Sequence, residues 1–359
     1  MALLSAIFGL YIINMQIAVD AMGGDKAPEV VVEGVVRAAR EYSIEVLLVG
    51  PQTTVEELLH NYDLGKTKIQ VINASQYVLM GEPAQDAVRK KKDSSIHVSA
   101  RLLKTGQADA MVTAGNTAAA LAISRSILGK LRGVSRPSLA MVIPNSIDAT
   151  VLLDVGANAG SCKSQHLLEF ALMGGIYSKM ILKKDNPRIG LLSVGEEKTK
   201  GTSITLGAFP LLENAAINFI GNVEGNDIVN GTADVVVCDG FVGNALLKFA
   251  EGASRMFFDI IRAEFKKSLK AKLGILLAKD ALKAFTRKLD YEQYGGAPIL
   301  GINGACIIGH GKSSANAIKS AIRVASEFVS LNVNASIEKS LRETREKNLG
   351  IELLEDDED

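Results

Sequence analysis

Short apolar runs alternate with segments of helical periodicity along almost the whole chain. Apolar residues spaced three and four apart predict helices, for example at 117–128 and 163–183. Ten β-branched or apolar runs predict strands, at residues 16–19, 45–49, 69–72, 109–112, 139–143, 150–153, 189–194, 217–220, 233–237 and 306–308. Strands that alternate with helices are typical of a mainly parallel sheet covered by helices. The pattern therefore predicts an α/β protein.

Three segments depart from this alternation. Residues 1–14 are apolar and uncharged, 244–289 are mostly helical without a strand, and 346–359 end in the acidic "ELLEDDED". We predict one α/β domain over 15–345, with 244–289 projecting as a helical hairpin and 346–359 as a disordered tail. The first segment is interpreted as an extension upstream of a natural start near Met15. A membrane anchor is the alternative, but it would use up the residues of the first predicted strand.

Composition and charge narrow the function classes. The chain has 359 residues, of which 47% are hydrophobic, enough for a large core. Forty basic residues balance forty acidic ones, so no overall field favours nucleic acid, and no nucleic-acid partner is expected. The three cysteines are far apart and the four histidines lack metal-ligand spacing. We therefore predict no disulfide framework, no metal and no cofactor, and this cysteine usage suits a cytoplasmic protein.

Six loops that follow predicted strands share one composition, in which Gly stands beside Asn, Asp, Ser or Thr. They are "DAMGGD" from Asp20, "TAGNT" from Thr113, "DVGAN" from Asp154, "GNVEGND" from Gly221, "CDGFVGN" from Cys238 and "GHGKSSAN" from Gly309. Taken singly, such residues are more often turn and N-cap residues than ligand-binding ones. Six on the same side of one sheet predict a polar floor suited to phosphate. The last loop is not a P-loop, because Cys306 stands where the first Gly is required.

A basic segment lies within the predicted hairpin. Residues 266–288 carry eight Lys or Arg and one acid, with apolar residues on one helical face. A basic amphipathic helix suits an anionic membrane surface or an acidic protein, and packing against a second copy is an equal alternative. The candidate docking residues are Lys270, Lys272, Leu276, Leu277 and Lys279.

Seven motifs, in this order, carry a resemblance to a known family. They are "IAVDAMGGDKAP", "VTAGNTAA", "LLDVGAN", "GNVEGND", "VCDGFVGN", "LDYEQYGGAPILGING" and "HGKSSANAI". From about residue 15 to 329 the chain resembles the bacterial phosphate acyltransferases, which make acyl phosphate from acyl-acyl carrier protein for phospholipid synthesis. The resemblance implies a three-layer α/β/α fold like that of isocitrate and isopropylmalate dehydrogenases and phosphotransacetylases. It also implies a homodimer, peripheral membrane association, and delivery of acyl phosphate to a membrane-bound glycerol-3-phosphate acyltransferase.

Phosphate attack on a thioester needs positioned groups rather than a Ser–His–Asp triad, because phosphate is already nucleophilic and a thiol leaves readily. We predict catalytic roles for Asn116 in the phosphate loop, Asn158 as an oxyanion donor and His310 as the acid for the departing thiolate. The predicted phosphate- and substrate-binding residues are Gly23, Gly24, Thr113, Gly115, Thr117, Asp239, Gly240, Asn244, Gly311 and Ser313.

Asp20 and Asp25 are predicted to shape their loop rather than touch phosphate. A carboxylate about 5 Å from a phosphate charge costs about 3 kcal/mol at an effective dielectric constant of 20. The alternative is that they hold a cation or a protonated donor. Two other functions remain open from the sequence: a phosphotransacetylase-like enzyme that uses acyl-coenzyme A, and a non-catalytic membrane scaffold for lipid enzymes.

Overall fold

The computed structural model describes residues 15–42, 44–158, 160, 162–268, 270, 274, 277–280, 282 and 291–355. The strands are β1 (Gln16–Asp20), β2 (Glu45–Gly50), β3 (Lys68–Asn73), β4 (Ala110–Thr113), β5 (Ser138–Pro144), β6 (Ala149–Leu153), β7 (Ile189–Leu192), β8 (Phe219–Val223), β9 (Val235–Val237), β10 (Ala297–Leu300) and β11 (Ala305–Ile308). They form one sheet in the order β3-β2-β1-β4-β11-β10-β5-β6-β9-β7-β8.

Helices cover both faces of this sheet. They are α1 (Glu29–Tyr42), α2 (Gln52–Leu59), α3 (Ala84–Lys90), α4 (Ser95–Lys104), α5 (Thr117–Leu128), α6 (Ser164–Met180), α7 (Ser203–Glu213), α8 (Gly225–Asn230), α9 (Gly240–Lys266), α10 (Ala315–Ser330) and α11 (Val333–Glu355), with a 3₁₀ turn at Tyr291–Tyr294. Alternate residues of β1 enter different cores, since Ile17 and Val19 join one hydrophobic cluster and Ala18 the other. The fold is the predicted three-layer α/β/α arrangement.

Two groups of parallel strands run in opposite directions through the sheet. One group holds β1 to β4 and β11, and the other holds β6 to β9. Strands β5 and β10 join them by antiparallel pairing. Ile308, the last residue of β11, pairs with Ala297, the first residue of β10. Leu153, the last residue of β6, pairs with Ala140 near the start of β5. The carboxyl ends of both groups therefore face each other at the middle of the sheet.

This geometry corrects one expectation about the six loops. They do not leave a uniformly parallel sheet on the same side, because β5 and β10 reverse the second group. The loops after β1, β4, β11, β6 and β9 nevertheless meet at the middle. The "GNV" of the fourth loop belongs to strand β8, which runs to Val223.

Other boundaries also differ from the sequence predictions. Strand β10 was not predicted, because it contains Pro298 and is flanked by glycines. The long helical stretch begins at Gly240 rather than residue 244. Helix α11 continues to Glu355, past the predicted end of the α/β domain at residue 345, and pairs four residues apart, such as Arg342 with Glu346, favour the helix.

Parts of the predicted segments lie outside the described residues, namely 1–14, 356–359 and much of 269–290. Within the described ranges, no helix is both long and apolar enough to cross a bilayer. Ile17 and Val19, which a membrane anchor would need, lie fully buried in the central sheet.

Candidate active site

A buried carboxylate supports the loop after β4. Asp20, only 3% exposed, accepts hydrogen bonds from Thr113 Oγ1 (2.7 Å) and from the Met22 N–H (3.1 Å). Burial raises the pKa of Asp20, while hydrogen bonds from Ser95, Thr113 and Met22 oppose that rise. Thr113 Oγ1 in turn accepts the Gly115 N–H at 3.0 Å. The Gly115 N–H is thus already bonded within the protein, so the predicted phosphate contact through it is not supported.

Three loops pack closely into one cradle. A Cβ on Gly23 would lie 2.6 Å from Gly115 N, so only glycine allows these two loops to approach this closely. The neighbouring Gly24 has φ +119°, and the Asp25 N–H donates to Gly311 O at 2.7 Å. Asp25 itself is exposed. The loops after β1, β4 and β11 therefore form a single unit.

Asn116 is an N-cap and a tether. Its Oδ1 accepts the Ala119 N–H at 3.0 Å, and its Nδ2 donates to Met80 O (2.8 Å) and Glu82 O (2.9 Å). Every group of this side chain already has a partner within the protein. The structure therefore gives Asn116 a bracing role in place of the predicted catalytic one, while Thr117 beside it reaches the pocket described below.

Asn158 is likewise a brace and not an accessible oxyanion donor. Its Nδ2 donates to Pro137 O (2.8 Å) and Asp154 Oδ2 (2.9 Å), and the residue is 4% exposed. Asp154 also accepts the N–H groups of Ala157 and Asn158, both at 2.8 Å. Burial raises the pKa of Asp154, and these hydrogen bonds lower it in part.

The first turn of α9 packs directly on the end of β6. Asp239 is its N-cap and accepts the N–H groups of Phe241 (2.9 Å) and Val242 (3.2 Å). The predicted ligand Gly240 opens the helix. A Cβ on Gly243 would lie 2.0 Å from Asp154 O, which shows how closely the helix approaches the strand. This contact fixes the direction in which the rest of α9 leaves the sheet.

A pocket of about 210 Å³ lies where the two strand groups meet. Of the predicted site residues, Thr117, Asn244, His310 and Ser313 lie on its wall. Ser313 also lines an adjoining depression with Gly23, Gly24 and Gly311. The remaining wall is apolar or charged, from Leu139, Met141, Val142, Val155, Leu247, Lys248, Glu251, Glu292, Tyr294, Gly296, Ala297, Ile308, Gly309 and Ala317.

Three ionisable side chains form a chain of contacts in the pocket. His310 Nδ1 accepts the Lys312 N–H at 3.0 Å, so the proton of a neutral imidazole sits on Nε2. That Nε2 lies 3.5 Å from Glu251 Oε1, and Lys248 Nζ donates to Glu251 Oε2 at 3.0 Å. Lys248 and Glu251 were not predicted as site residues, because the sequence pattern places them in a projecting hairpin. Their spacing from Asn244, at four and seven residues, places all three on one helical face and could have revealed them.

Comparison with known proteins identifies the family. The family described as "Fatty acid synthesis protein" matches residues 15–336. A phosphate acyltransferase of Pelotomaculum thermopropionicum is 46% identical over 342 residues, covering 95% of this chain and 99% of that protein. A phosphate acyltransferase of Syntrophotalea carbinolica is 49% identical over 318 residues, covering 89% and 91%. The chain belongs to the phosphate acyltransferase family.

Solved structures place this phosphate acyltransferase family member among related folds. A phosphotransacetylase from Streptococcus pyogenes aligns with a TM-score of 0.60 at 20% identity, covering 94% of this chain and 99% of that one. A putative 4-hydroxythreonine-4-phosphate dehydrogenase from Salmonella typhimurium aligns with a TM-score of 0.50 at 14% identity, covering 88% and 99%. These likenesses confirm the predicted relation of the fold to phosphotransacetylases and to a dehydrogenase fold.

The three cysteine thiols of this phosphate acyltransferase family member are poor nucleophiles. Burial, with Asp154 and Asp239 nearby, raises the pKa of Cys238 well above its ordinary value. Burial also raises the pKa of Cys306 to about 12 and that of Cys162 to about 11. All three are therefore protonated near neutral pH, and Cys238 and Cys306 are also buried.

The predicted docking residues are described only in part. Lys270, Leu277 and Lys279 are exposed, whereas Lys272 and Leu276 lie outside the described residues. Among the described positions, no group of three or more His, Cys, Asp or Glu side chains could hold a metal ion.

Proposed function

We propose that the central pocket transfers a fatty acyl group from acyl-acyl carrier protein to inorganic phosphate. The observation that carries this proposal is the convergence of three helix N-termini on one pocket. The pocket is lined by Thr117 and Ala317, in the first turns of α5 and α10, and by Asn244, in the second turn of α9. Lys248 lines it as well. Helix N-termini and a lysine favour an anion, and the apolar part of the wall suits the thioester and the start of its chain.

The residues of the pocket support direct displacement. An oxygen of hydrogen phosphate attacks the thioester carbonyl carbon, the C–S bond breaks, and its electron pair goes to sulfur. The proton that hydrogen phosphate loses balances the one that the thiol gains. We assign phosphate binding to Lys248 and Ser313, and proton transfer to the leaving sulfur to His310. Since the cysteines are protonated and two are buried, no acyl-cysteine intermediate is proposed.

Membership of a fatty acid synthesis family supports the carrier protein as donor. The test is phosphate-dependent loss of palmitoyl-carrier thioester, followed by mass spectrometry, with palmitoyl-coenzyme A assayed beside it. Preference for coenzyme A would favour the phosphotransacetylase-like alternative. Thioester loss that is independent of phosphate would indicate hydrolysis and contradict the proposal, and absence of thioester loss would favour a non-catalytic scaffold.

We also propose a homodimer that works at the membrane surface and passes acyl phosphate to a membrane-bound glycerol-3-phosphate acyltransferase. Helix α9 supports the dimer, because Phe249, Met256, Phe257 and Ile260 on it are between 51% and 75% exposed in the single chain. Light scattering during size-exclusion chromatography tests the dimer. Flotation with anionic vesicles tests the membrane association, and charge reversal at Lys270, Lys272 and Lys279 should weaken it in a salt-sensitive way.

A further inference from the structure

A loop of exposed apolar residues stands beside the pocket. In the connection from β3 to α3, Tyr77, Leu79 and Met80 are 42%, 58% and 39% exposed. Asn116, just before α5, holds this loop through Met80 O. The Met80 methyl group also lies against Gly311, where an added Cβ would come within 2.5 Å of it. The apolar loop therefore adjoins both the start of α5 and the loop that carries His310.

A basic run lies next to this apolar loop. Lys91 Nζ donates to Tyr77 O (2.8 Å), and the Gln76 N–H donates to Asp93 O (3.2 Å), so the two segments are side by side. Arg89, Lys90 and Lys92 in this run are exposed.

These cations are only lightly neutralised. Lys90 pairs with Asp86 at 3.0 Å, an exposed contact of small energetic value. Within the described part of the chain, neither Arg89 nor Lys92 takes part in an ion pair. An apolar centre with an incompletely neutralised basic rim has the composition of a protein-binding site for an acidic partner.

We propose that this surface, formed by Tyr77, Leu79, Met80, Arg89, Lys90 and Lys92, is where the acidic carrier protein docks. The proposal rests on the proposed function. The rim attracts the acidic carrier, the apolar residues contact it, and the position beside Gly311 directs its thioester arm into the pocket. A lipid headgroup fits less well, because a membrane has no thioester arm to insert there. This location differs from residues 266–288, where the sequence pattern predicts docking.

Direct binding tests the surface without any need for turnover. Fluorescently labelled acyl carrier protein would be titrated with the wild type and with the triple variant Arg89→Glu, Lys90→Glu, Lys92→Glu. We expect the Kd to rise about tenfold or more at low salt, and the difference to shrink as salt screens it. The matched control reverses three exposed lysines that do not line the pocket, Lys66 before β3 and Lys104 and Lys179 in the last turns of α4 and α6: Lys66→Glu, Lys104→Glu, Lys179→Glu.

Turnover separates docking from chemistry. With acyl-pantetheine, a donor that lacks the carrier protein, the variant should keep the wild-type rate, and only turnover of the acyl-carrier substrate should fall. If the wild type converted neither donor, the proposed function would fail while the titration still decided the surface. Equal weakening by the control triple would overturn the proposal. So would unchanged binding by the variant, or loss only when Lys270, Lys272 and Lys279 are reversed.

Discussion

Replacing Gly243 by alanine tests how the pocket wall is positioned. The new Cβ would lie 2.0 Å from Asp154 O and 2.8 Å from Cys238 Sγ. The first contact is with a backbone oxygen at the end of a central strand, which cannot rotate away. Helix α9 must therefore move about 1 Å away from Asp154 O to restore a separation of even 3.0 Å, and Lys248 and Glu251 move with it. Overpacking of this kind costs about 1–3 kcal/mol of unfolding free energy.

A displacement of about 1 Å in catalytic groups can lower turnover by about 100-fold, so activity should fall more than stability. Urea unfolding followed by far-UV circular dichroism gives the free energy, and phosphate-dependent thioester loss gives the rate. Gly252→Ala on the same helix is the matched control, because nothing lies within 4 Å of its added Cβ. That control should gain about 0.5–1 kcal/mol of unfolding free energy and keep the wild-type activity. Wild-type stability and rate in Gly243→Ala would show that α9 does not pack on β6 as described.

Three further predictions concern groups outside this contact. Asn116→Ala should lose about 1 kcal/mol of unfolding free energy, because the N-cap is missing. Asn116→Asp keeps the cap acceptor but loses the donors to residues 80 and 82, so turnover of the acyl-carrier substrate should fall more than stability. A variant of normal stability and rate would contradict the bracing role. Burial lowers the pKa of His97 to about 4, so the unfolded chain takes up its proton first as pH falls below about 6.5. Between pH 7 and pH 4 the wild type should therefore lose about 3 kcal/mol more unfolding free energy than His97→Gln. Parallel curves of unfolding free energy against pH for the two proteins would refute this. Cys238→Ser should retain sequential kinetics with no acyl-enzyme burst, whereas a burst in the wild type that this variant abolishes would restore a cysteine nucleophile.

Much of the fold could be predicted because buried parallel strands leave continuous apolar runs between amphipathic helices. All ten predicted strands overlap observed ones. Strand β10 escaped because Pro298 removes a backbone donor, and a proline inside an apolar run argues against a strand. Its antiparallel pairing, which reverses half of the sheet, comes from partners distant in sequence and leaves no local signal.

The site was predicted in composition better than in roles. The position of Asn244, His310 and Ser313 shortly after predicted strands was enough to predict that they line the site, and all three lie on the pocket wall. An amide at a helix start, however, can bind a ligand or cap the helix equally well. Only the observed partners of Asn116 and Asn158 distinguish these two roles.

The position of β10 and β11 has a consequence for synthesis on the ribosome. Residues 297–308 are among the last strands to be translated, yet they occupy the middle of the sheet, between β4 and β5. A nascent chain that has emerged only to residue 290 holds two separate sets of strands with no centre to join them. Catalytic geometry can arise only after this late insertion, so a nonsense mutation near residue 295 would leave two unconnected halves rather than a shortened enzyme.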